Sequence, residues 1–166
     1  MATIDVANAA LDLTHPSAHA HVYQTGHIPV AIDLAAAAAK KGSALVAGDI
    51  LRIMRIPPKT VAAGATLDVI TPVGTDTTTL TVGVGVESVD TSRFISGFNL
   101  KTATAGTFAT DAATPTRIIV GNGSGDYLTL VLSTLTGTLT SGVVNVAIGL
   151  LDLSDPARSA GLATRT

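Results

Sequence analysis

The chain has 166 residues, a length that fits one domain at ~150 residues each. Hydrophobic residues make up 46% of it and charged residues 13%, the latter about half the usual ~25%, which speaks against a disordered chain, since disorder needs little hydrophobicity and much charge. Zero cysteines and a formal net charge of −2 exclude a disulfide framework, a thiolate metal site and a cysteine nucleophile, and argue against the basic face of a nucleic-acid binder.

The first 25 residues have no strong hydrophobic period. They carry Ile4, Val6, Leu11 and Leu13 among polar residues, then His15-Pro16. They read as an extended N-terminal arm ordered by contact with something else. The start, Met1-Ala2-Thr3-Ile4-Asp5, lacks the positive and apolar regions of a signal peptide, so synthesis in a cytoplasm is expected. A strand is predicted near 28–34. Asp33 then precedes Leu34, five alanines, Lys40, Lys41 and Gly42. An N-cap residue, the best helix former, terminal lysines and a glycine stop predict two turns of helix, with an irregular alanine-rich crossing as the alternative.

From Gly48 onward the period is two. Strands are predicted near 49–56, 61–71, 78–86, 94–100, 116–121, 127–135 and 143–152. In the third of the eight, Val61, Ala63, Ala65, Leu67 and Val69 alternate with Thr66 and Asp68, the pattern of a half-buried strand with one wet face. Leu80, Val82, Val84 and Val86 share a face in the same way. So do Leu128, Leu130 and Leu132, set against Thr129 and Ser133, and so do Val144, Val146, Ile148 and Leu150. Turn residues punctuate the runs at Pro72–Asp76, Gly121–Gly125 and Thr140–Gly142. Residues 102–115 read as a long surface loop. The last segment, 154–166, is small and polar and reads as a C-terminal tail.

The fold class expected is all-β: an antiparallel β-sandwich, jelly-roll-like with about eight strands, plus extended N- and C-terminal arms. The organisation is an arm at 1–25, a β-sandwich domain at 26–153 and a tail at 154–166. Mean hydropathy is high at +0.48, yet no stretch of about 18 residues is free of polar or turn residues. Val143–Leu153, the most apolar segment, is interrupted by Asn145 and Gly149. No membrane partner is expected.

Glu87 is the only glutamate, and lysine occurs only at Lys40, Lys41, Lys59 and Lys101. Two readings fit this scarcity. One is a threonine-rich β-protein, since threonine suits the wet face of a strand. The other is a surface that packs against other subunits, where lysine and glutamate are depleted.

Chemistry-bearing patterns are weak. His15, His19, His21 and His27 form the best metal candidate, since imidazoles suit zinc, copper or iron. His19 and His21 would face one side of an extended chain, as in the His-x-His of cupins. That family adds a glutamate a few residues on, whereas no carboxylate lies between His21 and Asp33. No Gly-x-Ser-x-Gly elbow occurs, and Gly121–Gly125 lacks the Lys-Ser/Thr of a phosphate loop. The aspartates at 49, 76, 111 and 126 sit at turns or strand ends, where they bond nearby backbone. With no tryptophan, two tyrosines and three phenylalanines, an aromatic platform is poorly supplied. No catalytic residue, cofactor or metal is assigned, and the chain reads as a non-enzyme.

The stretch from Ala44 through Gly48-Asp49, Ile50–Ile56, Pro57-Pro58 and Thr60, leading into Ala65–Pro72, resembles small virion structural proteins of tailed bacteriophages. The lead-in from Tyr23 to Asp33 is also similar. The resemblance covers about half of the chain. It implies a head decoration (cement) or similar capsid-associated protein, whose partners would be the major capsid protein and copies of itself as homotrimer or homodimer. The location it implies is the capsid surface of the virion. The alanine run and the histidine-rich arm have no counterpart in that pattern. The residues expected to make contacts are Ile4, Val6, Leu11 and Leu13 in the arm and Pro57 and Pro58 in a loop. The alternatives are a tail or head-fibre component and a jelly-roll module that binds host glycans.

Overall fold

A computed structural model describes residues 1–6, 27–110, 117–120 and 125–152. Ten strands and one helix follow in the order β1 (Thr3–Asp5), β2 (His27–Asp33), α1 (Leu34–Lys41), β3 (Ile50–Ile56), β4 (Thr60–Thr71), β5 (Thr77–Val86), β6 (Asp90–Asn99), β7 (Phe108–Thr110), β8 (Arg117–Val120), β9 (Asp126–Gly137) and β10 (Val143–Asp152). All eight expected strands are present, and the alanine run is helical. Asp33 Oδ1 accepts from the N–H groups of Ala35 and Ala36 at 2.9 and 3.1 Å. Gly42 ends the helix at φ 74°, its N–H reaching the carbonyls of Ala38 and Ala39. An eight-residue helix is marginal alone; here Leu34 and Ala37 are buried and hold it to the sandwich.

The strands make two five-stranded sheets. One has the order β1-β3-β9-β5-β6; the other runs β2-β10-β4-β7, with β8 also on β4. The pairing is nested. Antiparallel pairs form between β2 and β10, β3 and β9, β4 and both β7 and β8, and β5 and β6. That is one long hairpin rolled up so that its successive strand pairs alternate between the two sheets, the jelly-roll order. Contacts β10–β4 and β9–β5 close each sheet. The strand β1 stands outside this scheme and pairs with β3 in parallel. The core lies between the sheets. Leu51, Leu80, Val82, Val84, Leu128, Leu130 and Leu132 reach it from one side, and Leu67, Val69, Val144, Val146 and Ile148 from the other.

Four details differ from the expectation. In β4 the buried residues are Thr60 and Ala62, then Ala65, Leu67 and Val69; Val61 and Ala63 are only half-buried. The cause is a bulge. Ile148 pairs with Ala65 and Gly149 with Ala63, leaving Gly64 unpaired at φ 66°, so the alternation changes phase there. Thr129 is fully buried although it alternates with the core leucines; its hydroxyl donates to the carbonyl of Gly85 at 3.2 Å. The segment read as a long loop contains β7, and Ala103 in it is buried. Thr3–Asp5, read as part of an arm, form an edge strand of the sheet.

Gly83 and Gly85 show how the sheet is covered from outside. A Cβ on Gly85 would lie 2.0 Å from the carbonyl oxygen of Asp90, and one on Gly83 would lie 2.6 Å from Cβ of Ser92. The β6 backbone therefore folds across β5, and only glycine permits that approach.

Candidate functional site

Two ends of the sandwich offer polar and loop features. At the first, α1, the loop 42–49, the connections 72–76 and 138–142 and residue Met1 come together, because β2, β4 and β9 finish there while β3, β5 and β10 begin. At the opposite end lie Pro57–Lys59 and Glu87–Val89, with Gly125 beside them.

The first end is organised around Asp49, whose side chain is fully buried. Lys41 Nζ donates to Oδ2 at 2.6 Å, the Val46 N–H donates to the same oxygen at 2.9 Å, and the Ala2 N–H donates to Oδ1 at 2.7 Å. Lys41 also donates to the carbonyl of Ala44 at 2.9 Å. Burial raises the carboxyl's pKa, but the bonds from Lys41, Val46 and Ala2 outweigh it and hold Asp49 below its ordinary range. One carboxylate thus joins the end of α1, the loop before β3 and the start of β1.

On the outer face of the first sheet, Arg52 holds Glu87 with two bonds of 2.6 and 2.8 Å. Its guanidinium also lies 4.6 Å from the centre of the Tyr127 ring. Arg52 and Arg55 both face out because β3 is bulged at Ile53, with Arg52 opposite Thr129 and Met54 opposite Leu128. Nearby, Asp126 accepts from the backbone and hydroxyl of Ser88 and from the Tyr127 N–H. These carboxylates are engaged by donors that tie strands and turns together, which is structural chemistry.

Ile4 is 5% exposed and packs into the sandwich's own core, with Val6 half-buried against it. Pro57 is buried and Pro58 half-buried in the β3–β4 turn, where Lys59 takes a φ of 59°. The structure does not gather these four into one patch; Ile4 sits on a sheet edge and the prolines at a sheet end. Leu11, Leu13, His15, His19 and His21 lie outside the described residues. His27 begins β2. Among the described residues, no three His, Cys, Asp or Glu side chains group as metal ligands, and no helix is long and apolar enough to cross a membrane. Large apolar side chains stand exposed at Met1, Val46, Ile70, Val89 and Phe108.

The Asp49 cluster was not singled out from the sequence. Gly48-Asp49 marked only a strand start, and nothing in the spacing of Lys41 and Asp49 signals a buried pair.

No family model matches the chain, and no curated protein matches it. Solved structures do. A chain from the capsid asymmetric unit of cyanophage Pam1 superposes with a TM-score of 0.56 at 17% identity, covering 74% of this chain and 81% of that one. A chain from the capsid of Ralstonia phage GP4 gives 0.49 at 15% identity, over 78% and 86%. One from the acid-stable capsid of Helicobacter pylori bacteriophage KHP30 gives 0.43 at 12%, over 76% and 93%. This chain and the Pam1 chain share a fold.

Proposed function

We propose that this chain is a structural protein of a tailed-phage particle, a decoration subunit on the outside of the capsid. The observation that carries the reading is the jelly roll shared with a chain of the Pam1 capsid asymmetric unit. The two shares covered are nearly equal, so that chain and this one are of similar length. A small subunit added to a shell fits this better than the shell protein itself. Scarce lysine and glutamate also fit surfaces that pack against neighbours. The partners are the major capsid protein and further copies of this chain. Contacts run through the N-terminal residues, including Leu11 and Leu13, and through the accessible part of the β3–β4 turn at Pro58, Pro57 itself being buried. The protein works by binding broadside and has no substrate.

Quantitative mass spectrometry of purified virions tests this. The chain is expected at a copy number comparable to that of the major capsid protein. Its absence, or a copy number typical of tail parts, overturns the decoration role.

A further inference from the structure

The strand β1 is unlike every other strand in the sandwich. The nested hairpin of β2 to β10 is complete without it. Its pairing with β3 is parallel and covers three residues, with Thr3 opposite Ile50, Ile4 opposite Leu51 and Asp5 opposite Arg52. It is joined to β2, a strand of the other sheet, through residues 7–26. Twenty residues can reach at most about 65–70 Å when extended, far beyond one small domain.

The place that β1 occupies is nevertheless built to receive a strand. The Ile50 N–H donates to the Ala2 carbonyl at 2.8 Å, and the Arg52 carbonyl accepts from the Val6 N–H at 2.9 Å. Buried Asp49 offers Oδ1 to the Ala2 N–H. Ile4 fills a position in the core, and the Met1 side chain lies 3.7 Å from where a Cβ on Gly48 would be. An empty edge would leave these groups without their partners.

We infer that residues 1–6 are an exchangeable strand, and that the β3 edge of one copy receives β1 of a second copy in the assembled protein. Every contact made within one chain is remade between two, so exchange loses no bond. Linker length and local concentration decide between the two forms. An exchanged strand links copies through a backbone ladder and a core isoleucine. The inference rests on the self-association part of the proposed function and needs no capsid, so its test on the isolated chain can fail without the capsid reading failing.

Asp5 and Arg52 are register neighbours in a chain with no cysteine. In the full chain carrying Asp5→Cys with Arg52→Cys, oxidised where the protein is oligomeric, disulfide-linked dimers or higher species are expected on non-reducing gels. Linkage confined to the monomer band overturns the inference, as does a wild-type chain that stays monomeric when concentrated. Ile4→Asp provides a second reading if the cysteine pair disturbs folding. It should evict the strand, lose the oligomer in light scattering and keep the cooperative melt of the sandwich. An oligomer that survives Ile4→Asp, or a strand found cross-linked only to a different protein, also overturns it.

Discussion

The strand β3 has two neighbours that could hardly differ more. On one side β9 pairs with it from Ile50–Val131 to Ile56–Asp126. It sends Leu128, Leu130 and Leu132 into the core, each with no exposed surface. On the other side β1 supplies one core residue, Ile4, and three register pairs. Local pattern specifies β9: its alternation alone commits it to a buried face. What specifies β1 lies elsewhere, in Asp49, in the open edge of β3 and in the vacancy that Ile4 fills. Interior strands bring their own instructions, whereas this edge strand is recognised by groups already waiting on its partner.

The largest effect should come from the β9 side. Leu130 faces both Leu51 and Val84 across its strand neighbours. Leu130→Asp places an unpaired charge in the core and should abolish cooperative unfolding in a thermal melt followed by circular dichroism. The milder Leu130→Ala should cost about 2–5 kcal/mol. If either leaves the melt unchanged, β9 is not the centre of the fold.

On the β1 side the sharpest probe is Asp49→Ala. It leaves Lys41 with the Ala44 carbonyl but no carboxylate and takes the Oδ1 acceptor from the Ala2 N–H beside β1, at a cost of about 3 kcal/mol by analogy with other broken buried pairs. Denaturant unfolding should show that loss, and hydrogen exchange should show it concentrated at β1 and the loop before β3. An equal loss of protection across β5 and β9 would erase the contrast between the two neighbours.

Acid should reproduce part of this change. The carboxyl of Asp49 is held below its ordinary range, so the folded state binds fewer protons than the unfolded state. Its stabilisation is therefore present above the unfolded pKa of about 4 and is lost as the pH falls through the lower folded value. The difference in Tm between wild type and Asp49→Asn should be full at neutral pH and shrink below about pH 4. A constant difference across that window would show that the carboxylate charge is not what matters.

The smallest effect belongs to Arg52. Its pair with Glu87 is bidentate, but the two side chains are 35% and 23% exposed. Arg52→Ala should cost about 1 kcal/mol or less, most of it lost in high salt. A cost as large as that of Asp49→Ala would mean that the outer face of the sheet matters more than burial implies.

Reading the residues alone reached the right fold class because alternation and turn chemistry are local. Leu80 to Val86, Leu128 to Leu132 and Val144 to Leu150 each state their buried face within a few residues. The reading of Val61 and Ala63 failed for an equally physical reason. Gly64 looks like any small residue in a run of alanines, and its bulge exists only because β10 pairs on both sides of it. Thr129 was misplaced because its cover, the Gly85 backbone, arrives from another strand. Of the contact residues, Ile4 and Pro57 were legible as apolar features but not as buried ones.

By itself the sequence determined the period of each segment, the ends of the helix and the absence of thiol chemistry, since these depend on residues close in the chain. The tertiary structure alone decided which strands pair, where the phase slips and what surrounds Asp49. Backbone donors and acceptors are the same on every strand, so pairing is settled only when faces meet and buried charges find partners from distant segments.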